Sequence, residues 1–217
     1  MTVLLPVIPS YTGEPGSTIS WPTAREFVPA RLTWGVSTSR TAWASVYTGQ
    51  VQSVTHQADR LRITLELPMV EKTLAGGREA YLMAAAAGGN WVRLWHIQRP
   101  APLGTLRGTP VASASAAAGS RALAITTTAG ATLLAGDVLG VADQLLQCAY
   151  GGAVADGAGA MIVPLVLPLR RAVSSSAAVT WDKPTGTFQI LSLDPRFDYS
   201  APQMQMGVTV ELSEVYT

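Results

Sequence analysis

Alternation of apolar and polar positions is the strongest signal along the chain. From Leu61 to Leu67 the residues Leu61, Ile63, Leu65 and Leu67 point one way, and Arg62, Thr64 and Glu66 point the other. A period of two marks a strand with one face buried, and Pro68 stops it. Arg31 to Val36 repeats the pattern with Leu32, Trp34 and Val36 on one face, and Tyr47 to Val54 reads as a more polar strand. Gly207 to Val215 alternates again, setting Val208, Val210 and Leu212 against Thr209, Glu211 and Ser213. Trp91 to Ile97 carries large residues on both faces, as a strand covered on both sides or lying at an interface would. One helix is expected from about Arg78 to Ala87, where good helix formers lie between Gly76-Gly77 and Gly88-Gly89.

The pattern changes at Arg99-Pro100-Ala101-Pro102-Leu103-Gly104, a strong punctuation. From there to about Arg171 the residues are small and nearly free of aromatics. Short strands are expected at Ala122–Thr127, Val138–Val141, Leu145–Tyr150 and Met161–Leu167, separated by turns such as Gly136-Asp137 and Gly151-Gly152. Pro164 and Pro168 cannot donate to a ladder, so their segment belongs at an edge or carries bulges. After Arg170-Arg171 the earlier character returns, with strands expected at Ala178–Trp181 and Gly186–Leu193. The expected fold is mainly β, a sandwich or barrel with one short helix plus a small barrel-like insert. Residues 1–104 and 173–217 would form one discontinuous domain and residues 105–172 the insert. Two sequential domains divided near residue 104 are the alternative.

Composition adds association to this picture. Apolar residues make up 48% of the 217 positions and charged residues only 13%, which leaves a monomer with much uncharged surface, the kind that marks contacts. The formal net charge of +1 gives no pull toward nucleic acid or anionic lipid. Cys148 is the sole cysteine, so no internal disulfide forms, and its alternation with Leu146 and Tyr150 suggests a buried small hydrophobe. No signal peptide is expected at the N-terminus. The longest apolar run, Met161 to Leu169, is too short to span a bilayer, which takes about 20 residues.

The search for chemistry predicts no enzyme, no cofactor and no metal. His56 and His96 lie in different strands with no metal-ligand spacing. An enzyme would need one of them beside an acid in a cleft. No strained G-x-S-x-G serine is present, and Gly157-Ala158-Gly159-Ala160 lacks the third glycine of a nucleotide loop. Asp194 with Asp198, and Glu211 with Glu214, are the only carboxylate neighbours worth weighing; turn formation and a solvent-facing Glu211 explain them more simply. All six tryptophans fall outside 105–172. Core packing accounts for most of them, and Trp43, in the polar stretch Thr38 to Gln50, is the candidate for an exposed one.

The order of features resembles the distal tail proteins of long-tailed bacteriophages. The resemblance runs through Arg31-Leu32-Thr33-Trp34, Ser39-Arg40-Thr41, Thr48-Gly49-Gln50-Val51-Gln52 and Leu61 to Pro68. It continues in the helix with its Gly-Gly turn, Trp91-Val92-Arg93-Leu94-Trp95, the Pro-rich junction, Leu134-Ala135-Gly136-Asp137 and Pro184-Thr185-Gly186-Thr187-Phe188. It implies a structural virion protein whose β domain closes into a homo-hexameric ring between the tail tube and the tip hub. Fibres or receptor-binding proteins attach to the smaller domain in some relatives. It implies assembly in the host cytoplasm and a final place in the virion. Ser37 to Gln50 is the expected element reaching the next copy, with Arg40, Trp43, Tyr47 and Gln50 at the interface. A carbohydrate- or receptor-binding β module is the competing reading.

Overall fold

The computed structural model describes residues 16–38, 40–55, 59–191, 197–200 and 204–216. Strands hold 43% of the chain and helical residues 11%, so the fold is mainly β, as the alternation predicts. The first stretch contains β1 (Thr18–Ser20), β2 (Arg31–Ser37), β3 (Arg40–Ala44), β4 (Val51–Thr55), β5 (Arg60–Leu67), β6 (Val70–Glu71), α1 (Lys72–Ala86) and β7 (Trp91–Trp95). The middle holds β8 (Val111–Ala112), β9 (Ala122–Thr126), β10 (Thr132–Leu133), β11 (Val138–Val141), β12 (Gln144–Gln147), β13 (Ala153–Val154) and β14 (Ala160–Pro164). The last part holds β15 (Thr185–Ile190), β16 (Tyr199–Ser200), β17 (Met204–Gln205) and β18 (Val208–Glu214).

A six-stranded sheet in the order β1-β7-β15-β18-β5-β2 forms the frame, antiparallel except for the β1–β7 pair. The register lines up the apolar positions across strands: Val92 with Phe188, Leu212 with Ile63, and Ile63 with Trp34. The inner face is therefore a continuous apolar surface. Helix α1 lies on it through Tyr81, Leu82 and Ala85, and Trp21, Phe27 and Tyr81 pack edge to face with centroids 5.1–5.9 Å apart.

The helix starts at Lys72 rather than near Arg78, so Gly76 and Gly77 sit inside it. Each glycine costs about 1 kcal/mol there. Ala75 and Arg78 are buried in that same stretch, and Arg78 donates hydrogen bonds to Gln205, Pro68 and Met206 from it. The far end is held by Asn90, whose Nδ2 donates to Ala84 O (2.6 Å) while its Oδ1 accepts from Ser17 N (3.0 Å).

The middle segment builds a second core around Leu106, Leu123, Ile125, Leu146, Cys148, Met161 and Val163. This core continues past residue 172 to Val173 and Val179, with Trp181 packed against it. Strand β14 is at an edge of the β14-β9-β8 sheet, where Pro164 is tolerated. Instead of a strand, residues 178–181 make only isolated bridges, Val111 to Ala178 and Gly140 to Thr180. Hairpin β11–β12 joins the two cores: Val138 and Leu145 belong to the first, Leu139, Val141 and Leu146 to the second. Gly186 makes room for this hairpin, because a Cβ there would lie 3.0 Å from Leu145 Cγ.

The six-stranded sheet curls strongly. Trp34 on edge strand β2 meets His96, just past β7, with ring centroids 4.4 Å apart. Trp34 Nε1 and His96 Nδ1 are both buried without a hydrogen-bond partner among the described residues. Burial, with the Arg99 guanidinium nearby, holds the His96 imidazole below its ordinary value. The unfolded chain then takes up a proton before the folded one does. Stability should fall as pH drops through about 6.5, with a slope of at most about 1.4 kcal/mol per pH unit from this group. Urea unfolding of the parent and of His96→Phe between pH 7.5 and 5.5 reads it as the difference in slope. Equal slopes would leave His96 without a part.

Candidate functional site

The residues singled out in the sequence gather on one feature, a hairpin arm. Strands β3 and β4 pair antiparallel, with Arg40 opposite Thr55, Trp43 opposite Gln52 and Ala44 opposite Val51. The arm continues the β2–β5 pair, whose register puts Ser37 opposite Arg60. Two residues on one side and four on the other separate Ser37–Arg60 from Arg40–Thr55.

The tip is built by local hydrogen bonds. Ser45 N donates to Gln50 O (2.9 Å), Gly49 N to Ser45 O (2.9 Å) and Thr48 N to Ser45 Oγ (3.3 Å). Gly49 sits at φ +66°, which a glycine adopts without strain. Tyr47, expected within a strand, lies in this turn, and the strand begins at Val51.

Every residue from Thr41 to Ser53 is exposed, and no other described strand pairs with β3 or β4. Trp43 is 55% exposed, Val51 69%, Val46 95% and Tyr47 98%. Residues paired across a hairpin share a face, so Trp43 stands with Gln52 on one side and Val51 with Ala44 on the other. Residues 41–55 contain no charged side chain. Free strand edges normally carry lysines, prolines or bulges that prevent pairing with other chains. An isolated two-stranded hairpin is also marginal in water. Among the described residues this one pairs with no third strand, and Val46 and Tyr47 stand exposed at its tip.

The other sequence candidates are dispersed. His56, Asp194 and the expected reaching element's Ser39 lie outside the described residues. Of the Arg40 side chain nothing is described, while Gln50 is exposed at the tip. His96 is buried against Trp34. Glu211 and Glu214 fall on opposite faces of β18: Glu211 pairs with Arg62 at 3.1 Å in solvent, and Glu214 is buried against Arg170. Cys148 is buried, and burial, with Asp137 nearby, pushes its thiol up, away from the reactive thiolate. Trp21 is buried, Trp34 and Trp95 pack against the first core, and Trp181 donates to Gly108 O (2.8 Å) under the Arg107 guanidinium. Among the described residues no cluster of His, Cys, Asp or Glu could hold a metal ion, and no helix is long and apolar enough to cross a membrane.

No protein-family model matches the chain, and no curated protein matches it.

Proposed function

We propose that the chain is a structural subunit that assembles with copies of itself through the β3–β4 arm. Its place would be the ring of a bacteriophage tail tip, as the resemblance to distal tail proteins implies. The carrying observation is the arm: a ribbon without a charged residue from Thr41 to Thr55, exposed from Thr41 to Ser53, with Trp43, Val46, Tyr47 and Val51 at or beside its tip. Such a surface is costly in water and becomes favourable when a neighbour covers it. A contact from one copy's arm to a different surface on the next is heterologous, and it closes into a ring when the rotation permits. Six-fold order, the tail tube and tip hub as neighbours, fibre or receptor-binding proteins on the smaller unit and location in the virion all come from the resemblance; the non-catalytic role rests on the sequence's lack of a catalytic motif.

Light scattering and negative-stain microscopy of the full chain test this reading. The expected result is a discrete ring-sized particle, six copies by the resemblance. Trp43→Glu combined with Tyr47→Glu should release monomers. Buried aromatic anchors contribute about 2 kcal/mol or more each, roughly 30-fold in affinity per residue. A parent protein that stays monomeric at high concentration refutes the proposal, as does a double variant that assembles as well as the parent.

The exposure of Trp43 also serves the second reading, a carbohydrate- or receptor-binding module, because an aromatic face can stack on a sugar. That reading expects glycan binding by a monomer or trimer, lost in Trp43→Ala.

A further inference from the structure

A cleft of about 280 Å³ lies beside the start of α1, past the end of β5 that is opposite the arm. Pro68, Met69, Leu74 and Met204 form its walls, and Glu26 lines it as well. We propose that this cleft receives Tyr47 from the arm of the next copy, with the Glu26 carboxylate accepting a hydrogen bond from its phenol. The inference rests on the assembly reading above and names the surface that the arm meets.

Glu26 carries the argument. It is 7% exposed, a rare state for a carboxylate without a partner. No described residue donates a hydrogen bond to it. Arg78 interacts with it through charge, but the hydrogen bonds of that guanidinium go to Gln205, Pro68 and Met206. The oxygens of Glu26 are not sealed from solvent, so in a lone chain water reaches them through the cleft. A guest that displaces this water must bring a donor of its own, or it leaves the carboxylate dry.

The walls select an aromatic guest. Two of the four wall residues are methionines, whose flexible thioethers fit themselves to ring faces and edges. An apolar cavity of about 150 Å³ holds a benzene ring, so this volume takes one phenol side chain. It is below the roughly 300–1,000 Å³ of pockets for drug-sized ligands. Tyrosine meets both demands, with an apolar ring and an O–H that donates. Tyr47 is 98% exposed in the turn that ends the arm. Its exposed neighbours Val46 and Trp43 have a counterpart in Val28 and Met206, exposed two residues beyond Glu26 and Met204.

The topology makes this a contact between copies. Strand β5 begins with Arg60 at the arm root, and Pro68 follows its last residue into the cleft. Its eight residues, at about 3.3 Å each, put roughly 25 Å between arm root and cleft. Two copies therefore meet head to tail, a heterologous contact that leaves an arm and a cleft free for further copies.

Sedimentation velocity of full-length variants tests the contact. Tyr47→Phe removes only a hydroxyl from an exposed side chain. It should weaken assembly about tenfold or more, the effect of losing a hydrogen bond to a charged group. Tyr150→Phe, at the other fully exposed tyrosine, should assemble as the parent does. Met69→Glu, at an exposed position, should block the cleft and release monomers with intact arms. Mixed with the Trp43→Glu, Tyr47→Glu variant, whose cleft is intact, these monomers should form one-to-one pairs and nothing larger. Each such pair has only one usable arm and one usable cleft. The proposal is overturned, with arm-mediated assembly left standing, if Tyr47→Phe or Met69→Glu assembles as well as the parent, or if the mixture stays monomeric. Failure of the assembly reading looks different: the parent itself is then monomeric, and both fall together.

Discussion

Arg78→Met is expected to lower the free energy of unfolding by about 3–5 kcal/mol, the range for removing one partner from a buried charged network. Arg78 is fully buried. Nε donates to Gln205 Oε1 (2.8 Å), Nη1 to Pro68 O (2.5 Å) and Nη2 to Met206 O (3.1 Å). One guanidinium thus ties α1 to the end of β5, to β17 and to the turn before β18. Burial lowers its pKa, opposed by Tyr199, Glu26 and Glu79, yet an arginine stays charged in proteins.

Methionine fills much of the stem volume, so the loss is not mainly a cavity. The cost comes from the acceptors left dry, each about 1–3 kcal/mol. Two are backbone carbonyls, which no compensating substitution can remove. Arg78→Lys keeps the charge but loses the planar fork, and should cost less than Arg78→Met. Urea unfolding should be done in the Trp43→Glu, Tyr47→Glu background, because association would otherwise add to apparent stability. A loss below about 1 kcal/mol for the methionine variant would mean that water satisfies those carbonyls.

Arg78 also shows where sequence reading stops. As a charged residue at the expected start of a helix it has a strong prior for the surface. Its burial depends on Gln205, Pro68 and Met206, whose approach is tertiary. Strands β5 and β18 were legible because one buried face imposes a period of two over seven or eight residues. Strands β1, β6, β16 and β17 span two or three residues and have no period to detect.

Residues 178–181 look like a strand but serve as bridges, because their partners are single residues in other segments: Val179 N donates to Pro110 O and Thr180 N to Gly140 O. The lack of charge from Thr41 to Thr55 was visible in the sequence. The isolation of the arm was not, since a free hairpin and one packed on a sheet share the same alternation. The cleft at Glu26 joins residues from 25 to 204 and left no local signal.

Asp137→Ala should also cost about 3–5 kcal/mol, through a different device. Gly136-Asp137 reads as a turn, yet the Asp137 carboxylate is buried and accepts three backbone N–H groups. Oδ1 takes Leu103 N (2.8 Å), and Oδ2 takes Gly104 N (3.0 Å) and Leu134 N (2.8 Å). Hydrogen bonds to a charged group contribute about 1.5–3 kcal/mol each. They fasten the Pro-rich junction, where the chain leaves the first core, to the start of β11. Gly104 can approach there only without a side chain, since a Cβ would lie 2.2 Å from Thr132 O.

Asp137→Asn keeps the shape but turns an amide NH₂ toward N–H donors, so it should lose about 2–3 kcal/mol. Hydrogen exchange should localise the effect, with the amides of Leu103, Gly104 and Leu134 exchanging roughly 100-fold faster in the alanine variant. Because β11 and β12 place side chains in both cores, loosening the residue that begins this hairpin should lower both together in one unfolding transition. Two separated transitions would show that the cores fold independently and that the shared hairpin does not couple them.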